Sequence, residues 1–149
     1  MSIKKDSRLI QPYLTFRGRC DEAIEFYRQA LDASVEMVMR FKDSPEPLPP
    51  GALTPDWENK IMHASLRIGE VSLMLSDGCP LEREGGFQGF SLSLTVGNEA
   101  EAGRVFAALS QTGKVNMPLG RTFWSPCFGM VEDKFGVRWM VTVAAANPK

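Results

Sequence analysis

The chain has 149 residues, enough for one domain with a substantial core, and its 17 basic and 18 acidic residues leave a formal charge of −1. With 44% apolar and 23% charged residues the composition is that of a soluble globular protein, and no basic field exists to displace counterions from a nucleic acid. No run of about eighteen apolar residues is present to cross a membrane, the segment Met1–Ser7 has no apolar h-region, and Cys20, Cys79 and Cys127 form neither a C-x-x-C pair nor an even set, so the expected location is the cytoplasm, without disulfides or a zinc knuckle.

Ile10–Phe16 reads as the first strand, ended by Gly18. Asp21–Leu31 follows as a helix: Ala23, Ile24, Tyr27 and Leu31 fall at helical spacing, and Asp21 and Glu22 complement the positive end of the helix dipole. Ser34–Phe41 alternates, with Val35, Met37, Met39 and Phe41 on one face. Lys42–Asn59 carries Pro45, Pro47, Pro49, Pro50, Pro55 and Gly51, which forbids regular hydrogen bonding over most of a long, stiff loop. Ile61–Ile68 and Val71–Ser76 flank Gly69-Glu70 as a two-residue hairpin.

The second half repeats this order. In Phe90–Val96, Leu92, Leu94 and Val96 alternate with Ser91, Ser93 and Thr95. Asn98, with Glu101 three residues on, predicts a capped helix start, and Ala102, Val105, Phe106 and Leu109 form its apolar stripe. Lys114–Leu119, Phe128–Glu132 and Val137–Val143 complete the half, the last two joined by the turn Asp133-Lys134-Phe135-Gly136. Residues 10–76 and 90–143 each read strand, helix, strand, strand, strand, joined by 77–89. This internal duplication predicts a single α+β domain of two tandem βαβββ modules in a curved mixed sheet, with helices on one face and a free concave face for a ligand.

The paired βαβββ order resembles the vicinal-oxygen-chelate superfamily of glyoxalase I, extradiol dioxygenases and bleomycin-resistance proteins. Ile10-Gln11-Pro12-Tyr13-Leu14, Lys60-Ile61-Met62-His63-Ala64, Met74-Leu75-Ser76-Asp77, Thr122-Phe123-Trp124 and Phe128-Gly129-Met130-Val131 through Asp133-Lys134-Phe135-Gly136-Val137-Arg138-Trp139-Met140 resemble its PhnB-like branch. Members of that branch often carry the description 3-demethylubiquinone-9 3-methyltransferase. The resemblance implies a homodimer. It also implies, for metal-dependent members, His or Glu ligands on the first and last strand of each module. Counting from Glu25-Phe26-Tyr27, Thr95-Val96 and Phe135-Gly136-Val137 puts those positions at Pro12, Met74, Ser91 and Met140. Proline has no side-chain donor, serine is a poor neutral ligand and thioethers suit soft copper, so neither a metal nor another cofactor is expected. A conventional S-adenosylmethionine enzyme needs alternating strands and helices with a glycine-rich turn after the first strand; this pattern is absent here.

Candidate site residues follow from strand parity. His63, the only histidine, shares a face with Ile61, Ser65 and Arg67, opposite Met62, Ala64, Leu66 and Ile68. It reads either as a polar anchor on the ligand wall or as an ordinary hydrogen-bonded strand histidine. Met74, Ser91 and Met140, with Ser72, Ser76, Ser93 and Thr142 at matching parity, form a small apolar floor edged with hydroxyls, or else simply fill space. Trp124 and Phe128 are candidate walls, and Trp57 a candidate lid; all three serve equally as buried structural aromatics. Arg121 beside them can hold a carboxylate or phosphate, or remain solvated. Asp77, Glu82, Glu84 and Asp133 lie where turns commonly carry acids and form no catalytic pair, and Cys127 has no activating neighbour in the sequence.

The expected function is binding of a small organic molecule in a metal-free cleft. The alternatives are an enzyme with a displaced metal at His63 or with His63 as a base beside a carbonyl, and an interaction module whose cleft is filled.

Overall fold

The computed structural model describes residues 8–46, 56–78 and 86–145. Along the chain run β1 (Tyr13–Thr15), α1 (Cys20–Leu31), β2 (Ser34–Arg40), a 3-10 turn (Phe41–Asp43), β3 (Ile61–Ile68), β4 (Val71–Ser76), β5 (Leu92–Val96), α2 (Glu99–Leu109), β6 (Lys114–Gly120), β7 (Phe128–Glu132) and β8 (Arg138–Val143). The strands form two four-stranded mixed sheets, ordered β1-β4-β3-β2 and β5-β8-β7-β6. The outer pairs β1/β4 and β5/β8 are parallel and the other pairs antiparallel. The chain divides into two compact units, one built on each sheet. No described helix is long and apolar enough to cross a membrane.

In the first unit Leu14, Ala64, Leu66, Leu73 and Leu75 make the buried sheet face. The Tyr27 ring of α1 meets Phe16 edge-on at 6.2 Å. The helix start is fixed from a distance. Arg19 at the N-cap, whose guanidinium pairs with Glu22, supplies no side-chain cap, and Asp77, just past β4, supplies one instead. One carboxylate oxygen of Asp77 accepts from Gly18 N and Cys20 N, each at 2.8 Å, and the other accepts from Ile61 N at 2.8 Å. The fully buried Asp77 therefore ties α1, β3 and β4 together. Asp21 receives a two-pronged bond from Arg40 at 2.8 Å, which holds its carboxyl below the usual range.

In the second unit Asn98 caps α2 as predicted, accepting from Glu101 N at 2.8 Å. Ala102, Val105, Phe106 and Leu109 are the helix's buried residues. Gly129 of β7 lets α2 come close: a Cβ there would stand 2.8 Å from the Phe106 ring. Asp133 closes the β7–β8 turn, accepting from Phe135 N and Val137 N with one oxygen and from the Trp139 indole with the other at 2.9 Å.

The duplication extends to irregularities. β2 shifts register between Val35 and Met37 against β3, and β6 shifts between Val115 and Met117 against β7. Each first strand is shorter than its sequence suggests, because Ile10 and Phe90 are β-forming but exposed and unpaired by ladder bonds. The long loop opens with the 3-10 turn, and its residues 47–55, including Pro47, Pro49, Pro50, Gly51 and Pro55, lie outside the described residues. Trp57 is a structural aromatic rather than a lid. It is 3% exposed, donates to Gly78 O at 2.9 Å and lies against Gly18. Glu82, Glu84 and Cys79 also lie outside the described residues.

Candidate functional site

Each sheet has a face directed away from its buried core, and ladder register assigns the residues on it. In the first unit Tyr13 pairs with Met74, and Met74 with Ser65; Arg67 pairs with Ser72, and His63 with Met39. In the second unit Ser93 pairs with Met140, Met140 with Met130, and Phe128 with Thr142. The strings Tyr13-Leu14-Thr15-Phe16 and Ser93-Leu94-Thr95-Val96 thus occupy equivalent places, as do Met74-Leu75-Ser76 and Met140-Val141-Thr142. Carried across the ladders, the equivalence matches Ser65 with Met130 and His63 with Phe128. The same lattice position is polar in one unit and aromatic in the other.

Met74 and Met140 stand on the last strand of each unit, and the first-strand residues directly beside them in the ladders are Tyr13 and Ser93. Pro12 precedes β1, and its carbonyl accepts from Met74 N at 3.0 Å. Ser91 is half-buried just ahead of β5. In the β1–α1 turn Arg17 and Gly18 adopt φ of 53° and 101°.

On the first open face the Tyr13 hydroxyl lies 3.0 Å from His63 Nδ1, with the rings tilted at 5.5 Å. Tyr13 reaches across β4, two strand spacings or about 9.6 Å, to make this contact. Burial pushes its phenol pKa up, partly opposed by the nearby Ser76 hydroxyl. Ser76 is itself buried and accepts from Gly78 N at 2.9 Å. Beside this pair, Ser65 and Ser72 hydroxyls donate to one oxygen of Glu36 at 2.7 and 2.8 Å and hold its carboxyl below the usual range. Arg67 stands 3.7 Å from its other oxygen.

The second open face is apolar at its centre. Phe128 is buried; Met130, Met140 and Thr142 are half-buried. Trp124 meets Phe128 edge-on at 5.2 Å and Phe123 at 4.8 Å. The loop carrying these aromatics is pinned. Thr122 Oγ1 accepts from Ser125 N at 3.0 Å, and the buried Ser125 hydroxyl bonds Val143 O at 2.6 Å. Trp124 stays 48% exposed and Phe123 96% exposed. With Arg121, Thr122, Ser125, Pro126 and Ala145 they line a pocket of about 260 Å³. Its size is close to the lower end of ligand pockets, which run from about 300 Å³.

Of the residues singled out from sequence, the structure brings His63 and Met74 onto one open face, and Trp124, Phe128 and Met140 onto the other. Tyr13 was missed as a site residue. Only the register of a parallel pair separated by most of a module puts it over β4. Glu36 was missed because it sits at the irregularity of β2.

A metal fits this donor set poorly. In the first unit Tyr13 offers a phenol already hydrogen-bonded to an imidazole and Met74 a thioether; in the second Ser93 offers a neutral hydroxyl and Met140 a thioether. Among the described residues no group of three or more His, Cys, Asp or Glu side chains could hold an ion. Cys20 and Cys127 are buried free thiols, and burial together with the Asp77 charge pushes the Cys20 pKa well up, away from thiolate chemistry.

A fold of two βαβββ modules, each with an open sheet face, is that of one superfamily, and residues 9–141 match its model. The chain belongs to the Glyoxalase/Bleomycin resistance protein/Dioxygenase superfamily. Within it the chain is of the PhnB/YjdN type. It is 38% identical over 146 residues to Protein YjdN of Escherichia coli (strain K12), covering 93% of this chain and 97% of that one. The crystal structure of protein PA1353 from Pseudomonas aeruginosa is 48% identical, covering 93% of this chain and 98% of that chain with a TM-score of 0.81. A PhnB protein from Bacillus cereus, provisionally described as a 3-demethylubiquinone-9 3-methyltransferase, is 30% identical, covering 92% of this chain and all of its own with a TM-score of 0.76.

Proposed function

We propose that this chain binds a small organic molecule on its open sheet faces without a metal at the superfamily's usual ligand positions. The observation that carries the reading is the pair on each open face, Tyr13 with Met74 in the first unit and Ser93 with Met140 in the second, fixed by the β1/β4 and β5/β8 ladders. Where relatives would need hard, ionisable donors, these side chains supply polarizable apolar contact and neutral hydrogen bonds, which suit an uncharged or weakly charged organic body. His63, Met74, Ser91, Trp124, Phe128 and Met140 are the proposed ligand contacts, now joined by Tyr13. The methyltransferase description of the Bacillus cereus relative is not adopted for this chain, whose two βαβββ modules lack the alternating sheet and glycine-rich turn of a conventional S-adenosylmethionine site.

A thermal-shift screen of organic compounds, run with and without a chelator, tests the reading. A specific binder at a hundred times its dissociation constant adds about 2.7 kcal/mol of stability. The expected hits survive chelation and weaken in Met74→Lys or Trp124→Ala; hits that vanish on chelation contradict the proposal. A homodimer, supported by the family resemblance, and a cytoplasmic location, supported by the cysteine usage, belong to the same reading, and sedimentation velocity checks the dimer.

A further inference from the structure

The pocket beside Phe128 in the second unit carries a charge that the neutral floors of the two sheets lack. Its apolar part is a corner: Phe123 and Trp124 are adjacent and exposed, and their rings stand at 84° with centroids 4.8 Å apart. A planar group stacks on one such ring and meets the other edge-on. The loop is held from within, and this consumes its hydroxyls. Thr122 Oγ1 accepts from Trp124 N at 3.3 Å and Ser125 N at 3.0 Å and donates to Ser125 O at 3.4 Å. Ser125 Oγ accepts from Cys127 N at 3.1 Å and Thr142 Oγ1 at 3.2 Å and donates to Val143 O at 2.6 Å. Each hydroxyl has thereby spent its proton and both lone pairs. The side-chain capacity that remains is all on donors. The exposed Arg121 guanidinium and the Trp124 indole N–H have no hydrogen-bond or ion-pair partner among the described residues, and none of the described residues lining the pocket is acidic.

We propose that this pocket binds a small aromatic carboxylate, with its ring in the Phe123–Trp124 corner and its carboxylate paired with Arg121. A guanidinium presents parallel N–H groups that match the two oxygens of a carboxylate, a pairing that a neutral carbonyl cannot complete. The volume of about 260 Å³ lies below the range of about 300–1,000 Å³ for drug-sized ligands, so the occupant is a single ring system. Cations are disfavoured, because Arg121 repels them and the lining hydroxyls have no lone pair left to offer. Arg121 is thus the residue that selects for charge, and the aromatic corner selects for shape. The ligand class rests on the proposed small-molecule function and narrows it.

The chain has three tryptophans, so 1H–15N correlation of the 15N-labelled protein shows three indole signals. Trp57 and Trp139 are buried, and their indole N–H groups are bonded to Gly78 O and Asp133 Oδ2; Trp124 alone reports on the pocket, and Trp124→Phe identifies its signal. Titration with sodium benzoate at about pH 7, where a carboxyl group is ionised, is expected to move the Trp124 signal along a saturating curve and leave the other two in place. Benzamide keeps the ring without the charge, acetate keeps the charge without the ring, and each is expected to bind at least about tenfold more weakly than benzoate. Arg121→Gln removes no described contact. It is expected to weaken benzoate by at least about tenfold and leave benzamide unchanged, with the Trp57 and Trp139 signals verifying the fold. The absence of a saturable benzoate shift overturns the proposal, and so does undiminished benzoate binding by Arg121→Gln. A Trp124 signal that moves with protein concentration and not with benzoate makes the corner a contact between copies and equally overturns it. Benzamide or acetate binding as tightly as benzoate overturns the ligand class alone, since the metal-free small-molecule function stands or falls with the chelator-resistant thermal-shift hits.

Discussion

Replacing Asp77 with asparagine is expected to destabilise the protein severely through geometry that no local sequence feature announces. The carboxylate accepts three backbone N–H groups, from Gly18, Cys20 and Ile61, all at 2.8 Å, and is fully buried. Asparagine can keep its carbonyl oxygen on Gly18 and Cys20, since that orientation saves two bonds against one. Its amide group then faces the Ile61 N–H, donor against donor. Hydrogen bonds to a charged group are worth about 1.5–3 kcal/mol each and neutral ones about 1 kcal/mol, so one bond is lost and two weaken, for a total of about 2.5–7 kcal/mol. In a chain of this size 1 kcal/mol moves the melting temperature by about 2–4 °C, giving a fall of about 5–28 °C. Asp77→Ala removes all three acceptors at a cost approaching the whole stability of a domain, about 5–15 kcal/mol, and is expected to yield little folded protein. Urea unfolding followed by tryptophan fluorescence measures the asparagine variant, with Glu25→Gln, which breaks an exposed pair with Arg28, as a control expected to change stability by less than about 0.5 kcal/mol. An Asp77→Asn protein within about 0.5 kcal/mol of wild type would refute the reasoning.

Further outcomes are equally definite. Gly129→Ala places a Cβ 2.8 Å from the Phe106 ring and 3.0 Å from Leu119 Cδ2, and is expected to cost about 1–3 kcal/mol in denaturant unfolding. Burial and the Asp77 charge raise the Cys20 pKa above the ordinary thiol value of 9.0 in the folded state, so the thiol's contribution is intact below that pH and is lost as pH rises past it. The slope is at most about 1.4 kcal/mol per pH unit, and Cys20→Ala is expected to flatten it in parallel alkaline denaturation series. Removing the Ser65 hydroxyl deprives Glu36 of a donor, and in Ser65→Ala the Glu36 carboxyl is expected to titrate at higher pH than in wild type by carbon-detected NMR.

The element order was legible because apolar spacing changes cleanly between two and 3.6 along the chain; β3, β4 and β7 begin and end where their alternation does. The capped start of α2 was legible for the same local reason. What stayed hidden is long-range. Tyr13 reads as an ordinary strand former until the β1/β4 ladder sets it beside Met74 and its ring crosses to His63. Asp77 reads as a turn acid until α1 and β3 converge on it. Trp57 carried two readings that only burial separates, and 3% exposure decides for structure. The family's ligand positions were approached by counting, whereas the side chains that stand beside Met74 and Met140 are set by the long-range β1/β4 and β5/β8 ladders, which bring Tyr13 and Ser93 there.

The most direct test of metal-independent ligand binding is calorimetric titration of purified, chelator-treated protein with Zn²⁺, Ni²⁺, Mn²⁺ and Fe²⁺. The account predicts no stoichiometric site that responds to Tyr13→Phe, Met74→Ala, Ser93→Ala or Met140→Ala. One ion bound per chain, and lost with any of those side chains, would contradict it.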